Sequence, residues 1–242
     1  MIVLLLALNM TLQDPTPMHY HIEAKTVSKV DVSAMGQGVV TQTVSTTAQI
    51  TVTMHDTAGG RLADIVVDTA TFDAPNASSS GVPPEMIANP TGTTFHIYVV
   101  DGKVKGSAVP STKTLGSAQI AAAMGLMFPG AKPTAKAGES WVDSVTADSS
   151  QGTSGQSVVH WSSAAGSDGE LALNGASSGS ATVNAAGAPM QMTATGKEEI
   201  STVPGGPSHR GNVQLNAHGT MTMSGASIPI DVTTTTTLAR IP

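Results

Sequence analysis

Two histidines, His19 and His21, flank Tyr20, and the alternation around them predicts a β-strand. Side chains at i and i+2 of a strand project side by side, so this pair could supply two of the ligands that zinc requires. The other histidines qualify as a third ligand only by residue type. We therefore predict two solvated histidines and no metal site.

The segment at 175–179, GASSG, has the Gly-x-Ser-x-Gly form of a hydrolase nucleophile motif. That chemistry requires Ser177 on a sharp strand-to-helix turn with a base nearby. Here the segment separates two predicted strands, and no helical pattern follows it. We predict a hairpin connection at this position and no nucleophile.

The only adjacent pair of carboxylates is Glu198 and Glu199, in GKEEIS. Neighbouring residues of a strand point to opposite faces, so these two cannot share a substrate as acid and base. We predict solvated charges that discourage pairing between sheet edges. No catalytic residue is identified, and the sequence predicts no enzyme and no cofactor.

Methionines recur at i and i+2 on two late strands, and one more lies in the alternating segment TAQITVTMHD. Flexible thioethers line promiscuous apolar binding surfaces, but they also fill irregular gaps in a core. Core filling is the alternative, because aromatic residues make up only 3% of the chain. The candidate ligand-binding residues are Ile50, Val52, Met54, Met190, Met192, Met221 and Met223.

The elements that carry these residues are predicted to be about eleven or twelve antiparallel strands, each bounded by turn residues. The strongest local signal is TTFHIYVVDGKVKGSAV, a hairpin turning at Asp101-Gly102. One helix is predicted near 116–127, capped by Ser117 and stopped by Pro129. The fold class is mainly β: an antiparallel meander forming a curved open sheet or incomplete barrel with one short helix.

We assign residues 14–242 to a single β-rich domain and residues 1–13 to the remnant of a signal peptide. The alternative for the N-terminal segment is a buried first strand. The domain can also be described as two similar halves, 18–110 and 139–242, joined by a helix and linker at 111–138. No stretch is long and apolar enough to predict a helical membrane span.

Charged residues make up 12% of the chain, and the formal net charge is −6. Hydroxyl and amide side chains must therefore keep the protein soluble, as on many exported proteins. The 11 Lys and Arg are dispersed, so nucleic acid is an unfavourable partner. The absence of cysteine excludes disulfides and thiolate chemistry.

The segment KPTAKAGESW contributes Pro133, Gly138 and Trp141 in the form Pro, a few residues, Gly-x-x-Trp. In this segment and in its strand pattern the chain resembles a loose group of uncharacterised exported bacterial β-rich proteins. The resemblance implies a β-rich fold and export, and it carries no catalytic site.

These observations favour an exported, non-catalytic protein, periplasmic or secreted. It is expected to bind an apolar or amphipathic ligand, such as a lipid, or a cell-envelope partner on the concave apolar side of its sheet. One alternative is a structural or interaction protein of the cell envelope without a ligand cavity. A second is a hydrolase whose site the sequence does not reveal.

Overall fold

A computed structural model describes residues 16–75, 77, 82–130, 135–146, 153–167, 169–185, 188–223 and 225–242. Within them, eleven strands form one antiparallel sheet in the order β5-β4-β3-β2-β1-β11-β10-β9-β8-β7-β6. The strands are β1 (Met18–Asp31), β2 (Val39–Thr57), β3 (Gly60–Asp73), β4 (Thr94–Val100), β5 (Lys103–Pro110), β6 (Ser140–Thr146), β7 (Thr153–Ala165), β8 (Leu171–Ala185), β9 (Ala188–Thr202), β10 (Ser208–Met223) and β11 (Ala226–Ile241). The helices are α1 (Leu115–Met127) and short 3₁₀ turns at Ser33–Met35 and Pro84–Ile87. The predicted fold class, an open antiparallel meander with one helix, is confirmed.

Strict alternation explains why the long strands form. In β2, Ala48, Ile50 and Val52 are buried, whereas Thr47 and Gln49 are exposed. We call the face on which α1 packs the inner face and the opposite face the outer face. One apolar face and one solvated face are what an antiparallel sheet accommodates.

The chain lays down two meanders that meet in the middle of the sheet. Strands β1 and β11 pair there, with Ile22 opposite Leu238. The two meanders leave β5 and β6 at opposite ends of the strand order. Helix α1 therefore carries the chain from one sheet edge to the other across the inner face.

The hairpin between β4 and β5 is confirmed. Its two turn residues, Asp101 and Gly102, have φ of 50° and 76°. Positive φ at both central residues is the geometry of a type I′ turn, which matches the twist of the flanking strands.

Helix α1 begins one residue earlier than predicted, and its N-cap is Thr114 rather than Ser117. The Thr114 side chain accepts a hydrogen bond from the backbone N–H of Ser117 (3.0 Å), and the Ser117 side chain accepts one from the backbone N–H of Thr114 (2.8 Å). This reciprocal arrangement is a capping box, in which Ser117 supplies the third helical position. The predicted helix is otherwise confirmed.

Both ends of α1 are anchored to the inner face by polar contacts. Near its N-terminus, the Gln119 amide accepts from Thr46 (2.6 Å) and donates to Thr26 (3.1 Å). Near its C-terminus, the carbonyl of Leu126 accepts from the Ser208 hydroxyl on β10 (2.6 Å). The helix thus spans the boundary between the two meanders.

The predicted hairpin at 175–179 is wrong, because β8 runs through it without interruption. The glycines there serve close packing rather than a turn. A Cβ on Gly175 would lie 2.7 Å from the ring of Trp161, and one on Gly179 would lie 2.8 Å from the carbonyl oxygen of Gln156. Glycine inside a strand often marks such a close approach.

Two interpretations made from the sequence fall outside the described residues: the signal-peptide remnant at 1–13 and the position of Pro133. In the described part of the chain, no helix has the length and apolar character needed to cross a membrane.

Candidate functional site: a cavity beneath the helix

The inner face of the first meander is filled by large side chains. Ile50, Val52, Ile65, Phe95 and Ile97 are at most 1% exposed and form one cluster with the helix. Branched and aromatic side chains at successive inward positions leave no space under this part of α1.

The inner face of the second meander is built from small side chains instead. Where β7, β8 and β9 face the helix, the cavity-lining residues include Gly155, Ser157, Ser177, Gly179, Ala181 and Ala194. These side chains are too short to reach α1. They leave a cavity of about 630 Å³. That volume lies within the range typical of small-molecule sites.

The walls of the cavity are mainly apolar. From the sheet, Met192 and Leu215 line the cavity. The helix lines the opposite side with Ala121, Ala122, Met124, Gly125 and Leu126. At the β6–β7 end, Trp161 lies on the wall and stacks with Trp141 at a centroid separation of 6.1 Å. Such a lining suits an apolar or amphipathic molecule.

A cross-strand row on the inner face places an aromatic ring near a carboxylate. Gly175 pairs with Trp161 on one side and with Glu198 on the other. Since Gly175 has no side chain, the Trp161 ring occupies the space above it. Trp161 and Glu198 therefore face the same part of the cavity.

Glu198 is the residue that sequence reasoning missed. It is half-buried and lines the cavity, whereas Glu199 on the outer face is exposed. Burial raises the pKa of the Glu198 carboxyl above its ordinary value, because a low-dielectric site disfavours the charged form. Among the described residues, no hydrogen bond or ion pair to its carboxylate is found.

A polar group lies where the two sheet edges approach the cavity. Nζ of Lys103 on β5 lies 2.9 Å from Oδ1 of Asp143 on β6. The indole N–H of Trp141 points to the other carboxylate oxygen of Asp143, at 3.4 Å. Lys103 and Asp143 both line the cavity and neutralise one another.

The predicted ligand-binding residues are distributed over the inner face. Ile50 and Val52 lie in the packed core, and Met54 packs against that core while remaining partly exposed. Met192 lines the cavity, Met190 is buried, and Met221 is half-buried. The side chain of Met223 is outside the described part of the chain. The structure brings Met192 to the cavity and places Ile50 and Val52 under the filled half of the helix.

The histidines lie near carboxylates and hydroxyls, chiefly on the outer face. His19 contacts Thr51 (3.0 Å), His21 contacts Glu23 (3.2 Å), and His218 contacts Asp231 (2.7 Å). In the described ranges no group of three or more potential ligands has a geometry that could hold a metal ion.

One cluster combines serine, histidine and carboxylate. The hydroxyl of Ser201 and the ring of His209 both contact the carboxylate of Glu170. These contacts, that of Ser201 first, hold the pKa of Glu170 below its usual value. Glu170 lies between the other two, so His209 is not placed to take a proton from Ser201. Ser201 therefore contacts a carboxylate whose lowered pKa makes it a weak base, and not the histidine that activates serine in many acyl-transfer enzymes.

No protein-family model matches the chain, and no curated protein matches it significantly. Among solved structures, the lipovitellin structure, which concerns lipid–protein interactions in that protein, matches with a TM-score of 0.56 and 13% identity. The match covers 95% of this chain and 25% of the lipovitellin chain, so this chain spans about a quarter of its length. At this identity the likeness concerns the fold alone.

A second solved structure is that of neisserial surface protein A, with a TM-score of 0.24 and 7% identity. That match covers 92% of this chain and 97% of the other. Its TM-score is too low to support an argument about fold or function.

Proposed function

We propose that the protein binds one apolar or amphipathic small molecule, of lipid type, in the cavity between α1 and the second meander. The observation that carries this proposal is the space of about 630 Å³ beneath an anchored helix. Protein interiors are normally close-packed, so an open space on one half of the inner face calls for an explanation. An apolar lining around that space suits a bound ligand.

The distribution of side-chain sizes supports binding rather than loose packing. Large residues cluster under α1 in the first meander, while Gly, Ala and Ser face the helix in β7–β9. The helix is nevertheless held at both ends by Gln119 and by the Leu126 carbonyl. A rigid lid over small side chains preserves the space without bound ligand, which lowers the cost of binding.

The role is non-catalytic in this proposal. The cavity-lining serines Ser157 and Ser177 have no described histidine beside them, and the base that contacts Ser201 is Glu170, whose lowered pKa makes it a weak proton acceptor. A structural or interaction protein would have no need of the cavity, so binding is the better account. The lipovitellin structure, which resembles this chain in fold, concerns lipid–protein interactions, and this agrees with a ligand of lipid type.

We further propose that the protein is exported, to the periplasm or the exterior. Support comes from a surface kept soluble by hydroxyl groups, with charged residues at 12% of the chain. Exposed threonines on the outer faces of β2 and β11, such as Thr47, Thr235 and Thr237, illustrate this composition.

Binding is tested by titrating the purified protein with N-phenyl-1-naphthylamine, an uncharged probe that fluoresces in apolar surroundings. We expect a saturable rise in fluorescence with one probe per chain. The uncharged amphiphile dodecyl maltoside, below its micelle concentration, should displace the probe competitively. A linear, unsaturable response, or no response, would overturn the proposal.

A further inference from the structure

We propose that the cavity selects amphiphiles with a cationic headgroup, and that the ammonium group of the ligand lies between Glu198 and the ring of Trp161. This inference rests on the proposed function and specifies the ligand class. It follows from the charges of the cavity, from the register of three strands and from the cost of leaving a carboxylate without a partner.

The charged side chains that line the cavity are Lys103, Asp143 and Glu198. The first two form an ion pair, and α1 contributes no charged residue to the lining. Lys197 and Glu199 neighbour Glu198 in sequence but are exposed on the outer face. Within the described residues, the net charge facing a ligand is therefore the single negative charge of Glu198.

The register gives this charge an aromatic neighbour. Trp161 and Glu198 are two strands apart in one row, which corresponds to roughly 10 Å between their backbones at the usual strand spacing. The Trp161 ring lies over Gly175 in the intervening strand. An ammonium group on the cavity side of that ring, beside Glu198, would contact both the carboxylate and the indole face, a combination that favours cations.

Electrostatics favours a cation over the other headgroups. A carboxylate in an apolar cavity without a partner is unfavourable, and a bound ammonium offsets that cost. A sulfate or carboxylate headgroup would add repulsion in the same low-dielectric space. An uncharged headgroup would leave Glu198 as it is in the free protein, which makes such a ligand the natural reference.

The test measures displacement of N-phenyl-1-naphthylamine at pH 7.5 by four compounds with the same dodecyl chain, each below its micelle concentration. They are dodecyltrimethylammonium, dodecyl maltoside, laurate and dodecyl sulfate. We expect the ammonium compound to displace the probe at a concentration at least tenfold lower than dodecyl sulfate or laurate does.

Variants assign the preference to Glu198. Glu198→Gln should lower the affinity for the ammonium compound at least tenfold, while the affinity for dodecyl maltoside should stay within about twofold of wild type. Glu199→Gln, which alters the neighbouring outer-face carboxylate, should change neither. Trp161→Leu should lower the affinity for the ammonium compound several-fold more than it lowers the affinity for the maltoside.

The outcomes separate this inference from the proposed function. If the probe and dodecyl maltoside both fail to bind, the cavity is not a binding site and both proposals fall. If the maltoside binds, but laurate or dodecyl sulfate binds with an affinity equal to that of the ammonium compound, only the headgroup assignment is wrong. Equal effects of Glu198→Gln and Glu199→Gln would also overturn it.

Discussion

Nζ of Lys103 lies 2.9 Å from Oδ1 of Asp143, and this ion pair joins the two edge strands of the sheet beside the cavity. The segment after α1 is attached to the start of β5 near this ion pair. The N–H of Gly130 donates to the carbonyl of Gly102 (3.0 Å), and Pro129 forms an isolated β-bridge with Lys103. The Lys103 side chain is 43% exposed and that of Asp143 is 25% exposed, so the contact is reachable by water and salt. Breaking the pair should therefore cost the fold little stability, and we predict that it affects access to the cavity instead.

Asp143→Asn should accelerate ligand dissociation. The substitution removes the charge attraction between the edges while keeping the size of the side chain. We expect the dissociation rate of the naphthylamine probe, measured by stopped-flow fluorescence, to rise about three- to tenfold, with a loss of about 1 kcal/mol or less in stability. Added salt at 0.5 M should raise the wild-type rate in the same direction.

The control for this ion pair is Lys105→Met, which removes an exposed lysine from the same strand as Lys103. It should leave the dissociation rate unchanged. Equal rates for wild type and Asp143→Asn, or an equal acceleration in the control, would show that the ion pair does not govern access.

Ala194→Leu should fill part of the cavity. Ala194 lines it from β9, and three added carbons occupy space that a ligand would need. We expect affinity for the probe to fall at least tenfold while the protein stays folded by circular dichroism. Thr195→Leu adds a similar side chain on the outer face and should leave affinity within about twofold. Comparable losses in both variants would contradict the location of the site.

Gly175→Ala should be destabilising although alanine is the better strand former. The new methyl group would meet the Trp161 ring at 2.7 Å, so the ring has to move. We expect a loss of about 1–3 kcal/mol in urea unfolding together with a changed tryptophan emission.

Gly125→Ala provides a control of opposite sign. That exposed glycine lies within α1, and an added Cβ would meet nothing within 4 Å. We expect it to stabilise by about 0.5–1 kcal/mol, because alanine favours a helix. A Gly175→Ala protein as stable as this control would mean that Trp161 does not lie over Gly175.

Glu198→Gln should stabilise the unliganded protein at high pH. The folded-state pKa of Glu198 is raised, so the native protein holds a proton that the unfolded chain has lost, and stability falls as pH rises from the unfolded pKa through the folded pKa. Above that window the ionised carboxylate costs stability, and glutamine removes the cost. We expect Tm to rise by roughly 2–4 °C at pH 8, for a change of about 1 kcal/mol.

At pH 4 most of the advantage of Glu198→Gln should disappear, because the Glu198 carboxyl is mainly protonated in both the folded and the unfolded state. Glu199→Gln should leave Tm within about 1 °C of wild type at both pH values. A pH-independent gain would indicate that burial of charge is not its origin.

The fold was largely predictable because its signals are local. Alternation in β2, the Asp101-Gly102 turn and the hydroxyl-capped helix each depend on a few adjacent residues. The strand β8 was split wrongly because the reason for Gly175 lies in another strand. Only the register shows that the glycine accommodates Trp161.

The site was less accessible from the sequence for the same reason. A cavity arises where small residues of β7, β8 and β9 face one helix, and that alignment requires the topology. Glu198 did leave a local signal, since it shares the period-two phase of Met190, Met192 and Ile200. Its charge and its neighbour Glu199 favoured a solvated interpretation, but phase rather than charge determined which face it occupies.

The most direct measurement uses a dodecyldimethylammonium analogue that carries a nitroxide on its ammonium headgroup, the end that the headgroup assignment places against Trp161. A nitroxide quenches tryptophan only at short range, and Trp161 lies on the cavity wall. We predict quenching that saturates at one ligand per chain and that Ala194→Leu abolishes while Thr195→Leu does not. Unsaturable quenching, or quenching that persists unchanged in Ala194→Leu, would contradict a binding site beneath the helix.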